Sequence, residues 1–225
     1  MLIFYFVLGC IVGSFFCLTA RRLPLRQSIL FPRSHCMYCQ QTLAWTELIP
    51  VLSILLQKSK CKHCHYTLSK SYLLAEISSG LLFVYFFHIR KDPDLLTFIW
   101  IFSAFLLSLS DCFYYQVESS ILFSSWILLW SGWLLSQTFH WQTVILMSVS
   151  TIFLLKYAHS YFGDGDTLLL LCWSAGIPVT DLFRLLFFAS IAGLTVFALY
   201  ALLQRRPLEK LPFVPFLSLG LLAVL

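Results

Sequence analysis

The chain has 225 residues, of which 60% are hydrophobic and only 11% charged. A soluble domain carries about 25% charged residues, so this composition excludes an ordinary water-covered surface. The net charge of +5 lies in short basic clusters between apolar runs, with no separate basic domain, so nucleic-acid binding is not expected and the clusters read as topology signals.

A helix needs about 20 apolar residues to cross a bilayer. Candidate runs occupy 2–20, 71–89, 95–110, 120–136, 142–159, 167–180, 182–203 and 211–225. The runs show no sustained two-residue alternation, and open sheet edges cannot face lipid. The fold class expected is an all-α polytopic membrane protein of about eight transmembrane helices. Arg21, Arg22 and Arg26 follow the first run rather than precede it. That order predicts a retained span with its N-terminus outside, not a cleaved signal.

Alternating the loops places 21–70 and the turns near 111–119, 160–166 and 205–210 on one side. That side collects Arg21, Arg22, Arg26, Arg33, Lys58, Lys60, Lys62, Lys70, Arg205, Arg206 and Lys210, with Lys156 close by, whereas the other has Arg90, Lys91 and Arg184. The positive-inside bias makes the first side cytoplasmic. The domain organisation expected is a first span (1–20), a cytoplasmic cysteine-rich loop (21–70) and a membrane domain (71–225). No internal repeat or low-complexity linker is visible.

The loop 21–70 is short for an independent core, and units of this size often need a metal or disulfides. Cys36 and Cys39 form one C-x-x-C, and Cys61 and Cys64 form another. Two such knuckles can supply four thiolates to a tetrahedral structural zinc. A cytoplasmic loop disfavours disulfides, and no thioredoxin-like unit surrounds either pair. His35, His63 and His65 flank the knuckles as substitute ligands or surface residues. Cys10, Cys17, Cys112 and Cys172 read as small buried apolar side chains.

Two carboxylates stand at membrane boundaries. Asp111 follows the run 95–110, and Asp166 closes Gly163-Asp164-Gly165-Asp166 ahead of the run 167–180. Intramembrane ionisable residues are costly and point to function. Two carboxylates around one water could share a proton, one acting as base and the other polarising a carbonyl. Gly163 and Gly165 would allow a sharp turn and a close backbone approach. The same positions also suit helix-end carboxylates: Asp166 is favourable at a helix N-terminus, whereas Asp111 meets the negative end of its helix. On that argument Asp166 is the more readily ionised partner and Asp111 the more readily protonated one. An ion-coupled transporter is a further reading of paired acids, although mid-membrane sites on broken helices would be expected of it. A membrane-anchored zinc-ribbon adaptor would account for the cysteines alone.

These residues resemble the type IV prepilin peptidases, including those that serve competence pseudopili in Gram-positive bacteria. The resemblance runs through Gly13-Ser14-Phe15, Arg22-Leu23-Pro24, Ser28, Pro32, Ser34, both cysteine pairs, Leu48-Ile49-Pro50 and Ser53. It continues in Tyr72 and Glu76, Asp111, Gly163-Asp164-Gly165-Asp166 and Pro212-Phe213-Val214-Pro215-Phe216. It implies that Asp111 and Asp166 are the catalytic pair of an aspartic endopeptidase of the Gly-x-Gly-Asp type. It also implies prepilin or pseudopilin substrates, cleavage of a basic leader at the cytoplasmic face of the bacterial plasma membrane, and N-methylation with S-adenosylmethionine. Zinc and membrane lipid are the other expected partners.

The chain departs from the family pattern at Cys17 (often Asn), Leu73 (Pro), Val117-Glu118-Ser119 (Ile-Pro-Asp) and Leu168 (commonly Lys). None of these removes a candidate carboxylate. No glycine-rich nucleotide-binding loop is visible, so no cofactor-binding residue is assigned. Asp164 is the rival to Asp166, and Glu76 reads as a first-turn carboxylate. Trp100, Trp141 and Trp173 read as interfacial or packing groups.

Overall fold

The structure, a computed structural model, describes residues 1–36, 38–90, 92–157, 163–204 and 210–225. Lys91, Arg205, Arg206 and residues 160–162 of the turn near 160–166 therefore lie outside the described residues, and with them part of the predicted charge asymmetry. The helices are α1 (Leu2–Arg22), α2 (Leu52–Leu56), α3 (Lys70–Val84), α4 (Leu95–Tyr114), α5 (Ser119–Leu135), α6 (Trp141–Tyr157), α7 (Asp164–Trp173), α8 (Val179–Gln204) and α9 (Val214–Val224). A π-helical turn, Tyr85–Ile89, extends α3. Among the described residues the only β-structure is two isolated bridges.

Seven of the eight apolar runs overlap an apolar helix, but the run 167–180 breaks after the ten-residue α7 into a 3-10 turn, Ser174–Gly176, so eight full spans are not what the helices show. Four segments are long and apolar enough to cross a membrane: Leu2–Arg22, Lys70–Ile89, Leu95–Tyr114 and Val179–Leu203. Ser119–Leu135, Trp141–Leu154 and Val214–Val224 are shorter apolar helices. The chain divides into two compact units, Met1–Pro93 and Asp94–Leu225.

In the first unit α1 packs along α3. The fit depends on small residues, because lipid supplies no hydrophobic force between helices and close van der Waals contact must replace it. A Cβ on Gly13 would lie 2.6 Å from Ser79 Cβ and 2.8 Å from the Ala75 carbonyl oxygen, so any larger residue would push the pair apart. Where the helices leave the apolar zone, the Arg21 guanidinium lies 4.4 Å over the Tyr72 ring and Arg21 Nη2 donates to Ser71 Oγ at 3.2 Å. Arg22 Nη1 donates to the carbonyls of Ser28 and Pro32 at 3.1 and 2.9 Å, which folds the start of the loop back on the helix end.

In the second unit the core gathers Trp100, Leu107, Leu129, Trp133, Leu169 and Trp173 from α4, α5 and α7. Trp100 meets Trp133 edge to face at 4.8 Å, an arrangement that aromatic quadrupoles favour. Trp100 and Trp173 are thus packing groups, whereas Trp141 is exposed. Cys10, Cys17 and Cys172 are buried as expected; Cys112 instead lies on an exposed face of α4.

Candidate active site and metal centre

The metal centre lies in the first unit. The Sγ atoms of Cys36, Cys39, Cys61 and Cys64 all fall within 4.8 Å of one another, and Cys36 Sγ and Cys64 Sγ are 3.7 Å apart. Tetrahedral Zn–S bonds of about 2.3 Å place sulfurs about 3.8 Å apart, so small shifts of the four thiols would let them hold one ion. All four cysteines are free. His35, His63 and His65 do not belong to the cluster; His35 Nδ1 is 2.9 Å from the Arg33 carbonyl.

The cluster is built by a repeat. The Cys36 N–H donates to the Gln41 carbonyl, Gln40 N–H to Cys36, and Leu43 N–H to Ser34. Twenty-five positions later, Cys61 N–H donates to Tyr66, His65 N–H to Cys61, and Leu68 N–H to Ser59. Gln40 and His65 both turn through positive φ, 59° and 55°. The two knuckles face each other, with Tyr38 stacked on Tyr66 at 5.0 Å.

Backbone amides prepare the thiols unequally. The Cys39 and then the Tyr38 backbone hold Cys36 down to about 7. The Tyr66 backbone pulls Cys64 down, but burial and the three neighbouring thiols outweigh it and push Cys64 up to about 12. Without a cation, four thiolates cannot crowd into this space, so metal binding would displace protons.

The first unit holds a second polar centre. Glu76 is buried two turns into α3, not on the first turn expected of a dipole-stabilised carboxylate. Its Oε2 accepts the Val51 N–H at 2.6 Å, and Ser14 lies near the same carboxylate. Val51 has φ 61° and ψ −54°, costly for a β-branched residue, and this bond ties it to the helix pair.

In the second unit Asp111 lies buried in the last turn of α4, where its carbonyl accepts the N–H of Tyr115, a left-handed cap. Asp111 Oδ2 accepts the Val214 N–H at 3.0 Å, at the first residue of α9. One turn away, Ser108 Oγ and Ser218 Oγ are 2.7 Å apart and join the same two helices. Asp166 sits half-buried in the first turn of α7, within charge–charge range of Asp111. The two aspartates thus lie in one compact unit, close enough to feel each other's charge, and Asp164 is exposed.

Neither glycine of the Gly-Asp-Gly-Asp turn has positive φ, so the sharp turn expected of them is not what they supply. They supply space. A Cβ on Gly165 would lie 2.7 Å from Val117 Cγ2, and one on Gly163 would lie 3.2 Å from Asp166 Oδ2. The helix-end argument for dividing the two carboxylates also needs revision. Asp111 does end its own helix, but its carboxylate faces the positive N-terminus of α9 as well, so the dipole of α4 alone no longer separates it from Asp166.

Sequence comparison supplies an independent line. Residues 7–89 match the family described as Bacterial Peptidase A24 N-terminal domain. A prepilin leader peptidase/N-methyltransferase of Bacillus subtilis (strain 168) is 32% identical over 229 residues, spanning 98% of this chain and 92% of that protein. A type 4 prepilin-like proteins leader peptide-processing enzyme of Escherichia coli O78:H11 is 28% identical over 248 residues, 96% of this chain and 90% of its own length. A prepilin leader peptidase/N-methyltransferase of Myxococcus xanthus is 48% identical over 81 residues, which is 36% of this chain and 24% of that relative. No solved structure matches the chain.

Proposed function

The chain belongs to the prepilin leader peptidase/N-methyltransferase family, and from that premise we propose that it is an intramembrane aspartic endopeptidase that removes the basic leader of prepilin-like proteins. Asp111 and Asp166 are its catalytic carboxylates. The observation that carries this reading is that the two carboxylates, from α4 and the first turn of α7, lie close enough to feel each other's charge, with Asp111 anchored by the Val214 amide. One carboxylate takes a proton from water as the water oxygen bonds to the scissile carbonyl carbon, and the other gives its proton to the carbonyl oxygen. The tetrahedral diol then collapses and the C–N bond breaks. The leaving amine takes the proton held by the first carboxyl, and the diol hydroxyl returns one to the second.

The reading extends to topology. All eight apolar runs cross or line the membrane, and the basic loop 21–70 faces the cytoplasm of a bacterial cell, where a substrate helix would present its leader. Cys36, Cys39, Cys61 and Cys64 hold a structural zinc. Four thiolates close its coordination and leave no position for a reacting water, so hydrolysis belongs to the aspartates. N-methylation of the new N-terminus with S-adenosylmethionine is the second reading, favoured by the name of the Bacillus subtilis relative.

Co-expression with a prepilin bearing a basic leader tests both. Wild type should shorten the prepilin on a gel, and Asp111→Asn and Asp166→Asn should each abolish the shift. A gain of about 14 Da, one methyl group, on the mature N-terminus would report methylation. Persistent cleavage in both variants would remove the aspartates from the mechanism.

A further inference from the structure

The loop between α1 and α3 carries an inverted surface. In α2, Leu52, Leu55 and Leu56 are 51%, 58% and 74% exposed, while Ser53 and Ile54 face inward at 7% each. A five-residue helix in water would not turn three leucines outward and a serine inward. The segment's depth follows from its anchor. Glu76, which binds the Val51 N–H, lies six residues into the span Lys70–Ile89, about 9 Å along the axis at 1.5 Å per residue. It is one turn below Tyr72, whose ring with the Arg21 guanidinium has the composition of a membrane-interface belt. By Leu74, two residues before Glu76, α3 already turns a leucine outward.

Val51 is therefore held below the interface belt, and the leucines that follow it start from that depth. The chain then turns through Lys58 and Ser59, both at positive φ, and returns through Lys60 and Lys62 to the metal knuckle. Basic residues next to an apolar face suit a leaflet containing anionic lipid.

We propose that residues 49–56 form a short re-entrant element that places Leu52, Leu55 and Leu56 among the acyl chains of the leaflet next to loop 21–70. Glu76 is the latch that holds it there, and the metal knuckles ride above it at the membrane surface. The element's partner is the bilayer itself, and the inference stands apart from the proposed activity.

Wild-type full-length protein in nanodiscs of phosphatidylcholine and phosphatidylglycerol, doped with a phosphatidylcholine that carries a diazirine in its acyl chain, tests the proposal. After photolysis, mass spectrometry maps lipid adducts by residue. Leu52, Leu55 and Leu56 should be labelled at the level of Leu81, an exposed residue within the span, and residues 58–68 should stay clean. Labelling of Leu81 without residues 52–56 would overturn the proposal. So would equal labelling across 52–68, which indicates a loose surface contact. A variant, Glu76→Ala, should reduce the label on residues 52–56 while leaving that on Leu81 unchanged; undiminished label would remove the latch.

Discussion

Asp111 Oδ2 receives the Val214 N–H at 3.0 Å across 103 residues of chain. The bond makes the carboxylate both a candidate catalytic group and the cap of α9. The two roles separate by substitution. Asp111→Asn keeps an acceptor for Val214, so the unfolding midpoint in detergent should barely move while prepilin cleavage falls by about 10²–10⁴-fold, the usual worth of a positioned acid or base. Asp111→Ala leaves a buried amide unpaired and should also cost about 1–3 kcal/mol of stability. Equal stability losses for the two variants would mean that the side chain does not cap α9.

Gly165 meets Val117 at the connection between α4 and α5, with room for no Cβ. Gly165→Ala should displace the first turn of α7 and carry Asp166 with it. A misplacement of about 1 Å can cost about 10²-fold in rate, so cleavage should drop by that order with modest loss of expression. Val117→Gly removes both colliding carbons, Cγ2 at 2.7 Å and Cβ at 2.9 Å, and should restore much of the activity in the double variant. A double variant no better than Gly165→Ala would break the link between this contact and the carboxylate.

Hydrocarbon is a severe selector, and this explains what the sequence made legible. Every backbone group in a span must bond within its helix, so the helices announce themselves as apolar runs, and Asp111 and Asp166 stand out by contrast with those runs. Cysteine spacing likewise exposed the metal cluster. The contacts of Glu76 with Val51 and of Asp111 with Val214 cross 25 and 103 residues, and no local pattern encodes such pairings. One signal was available in full: Ser34-x-Cys36-x-x-Cys39-x-x-Thr42-Leu43 recurs as Ser59-x-Cys61-x-x-Cys64-x-x-Thr67-Leu68. Reading only the cysteines hides the flanking serine, threonine and leucine, whose backbone bonds close each knuckle. Cys112 failed the burial rule because a helix in lipid can expose a small apolar side chain without cost.

The knuckle repeat predicts a metal content. Purified protein should carry on the order of one zinc per chain, the stoichiometry of a four-thiolate site, by plasma mass spectrometry. Cys36→Ser or Cys64→Ser should lose most of it, and chelation should lower the unfolding midpoint. His63→Ala should retain the full content, because His63 lies outside the sulfur cluster. Retention of metal in both cysteine variants would reassign the ligands.

Glu76 holds Val51 in a backbone region that valine avoids, so removing the carboxylate should free the segment. In Glu76→Ala the Val51 amide loses its acceptor and α2 is released from α3. Trypsin should then cut after Lys58 and Lys60 roughly tenfold to a hundredfold faster, the range that corresponds to about 1–3 kcal/mol of local opening. Glu76→Gln keeps an acceptor oxygen and should fall between that variant and wild type. If Glu76→Gln cuts as fast as Glu76→Ala, the charge rather than the hydrogen bond holds the loop. If neither variant is cut faster, the loop is anchored elsewhere, with Arg22 and its carbonyl contacts at Ser28 and Pro32 the next bonds to remove.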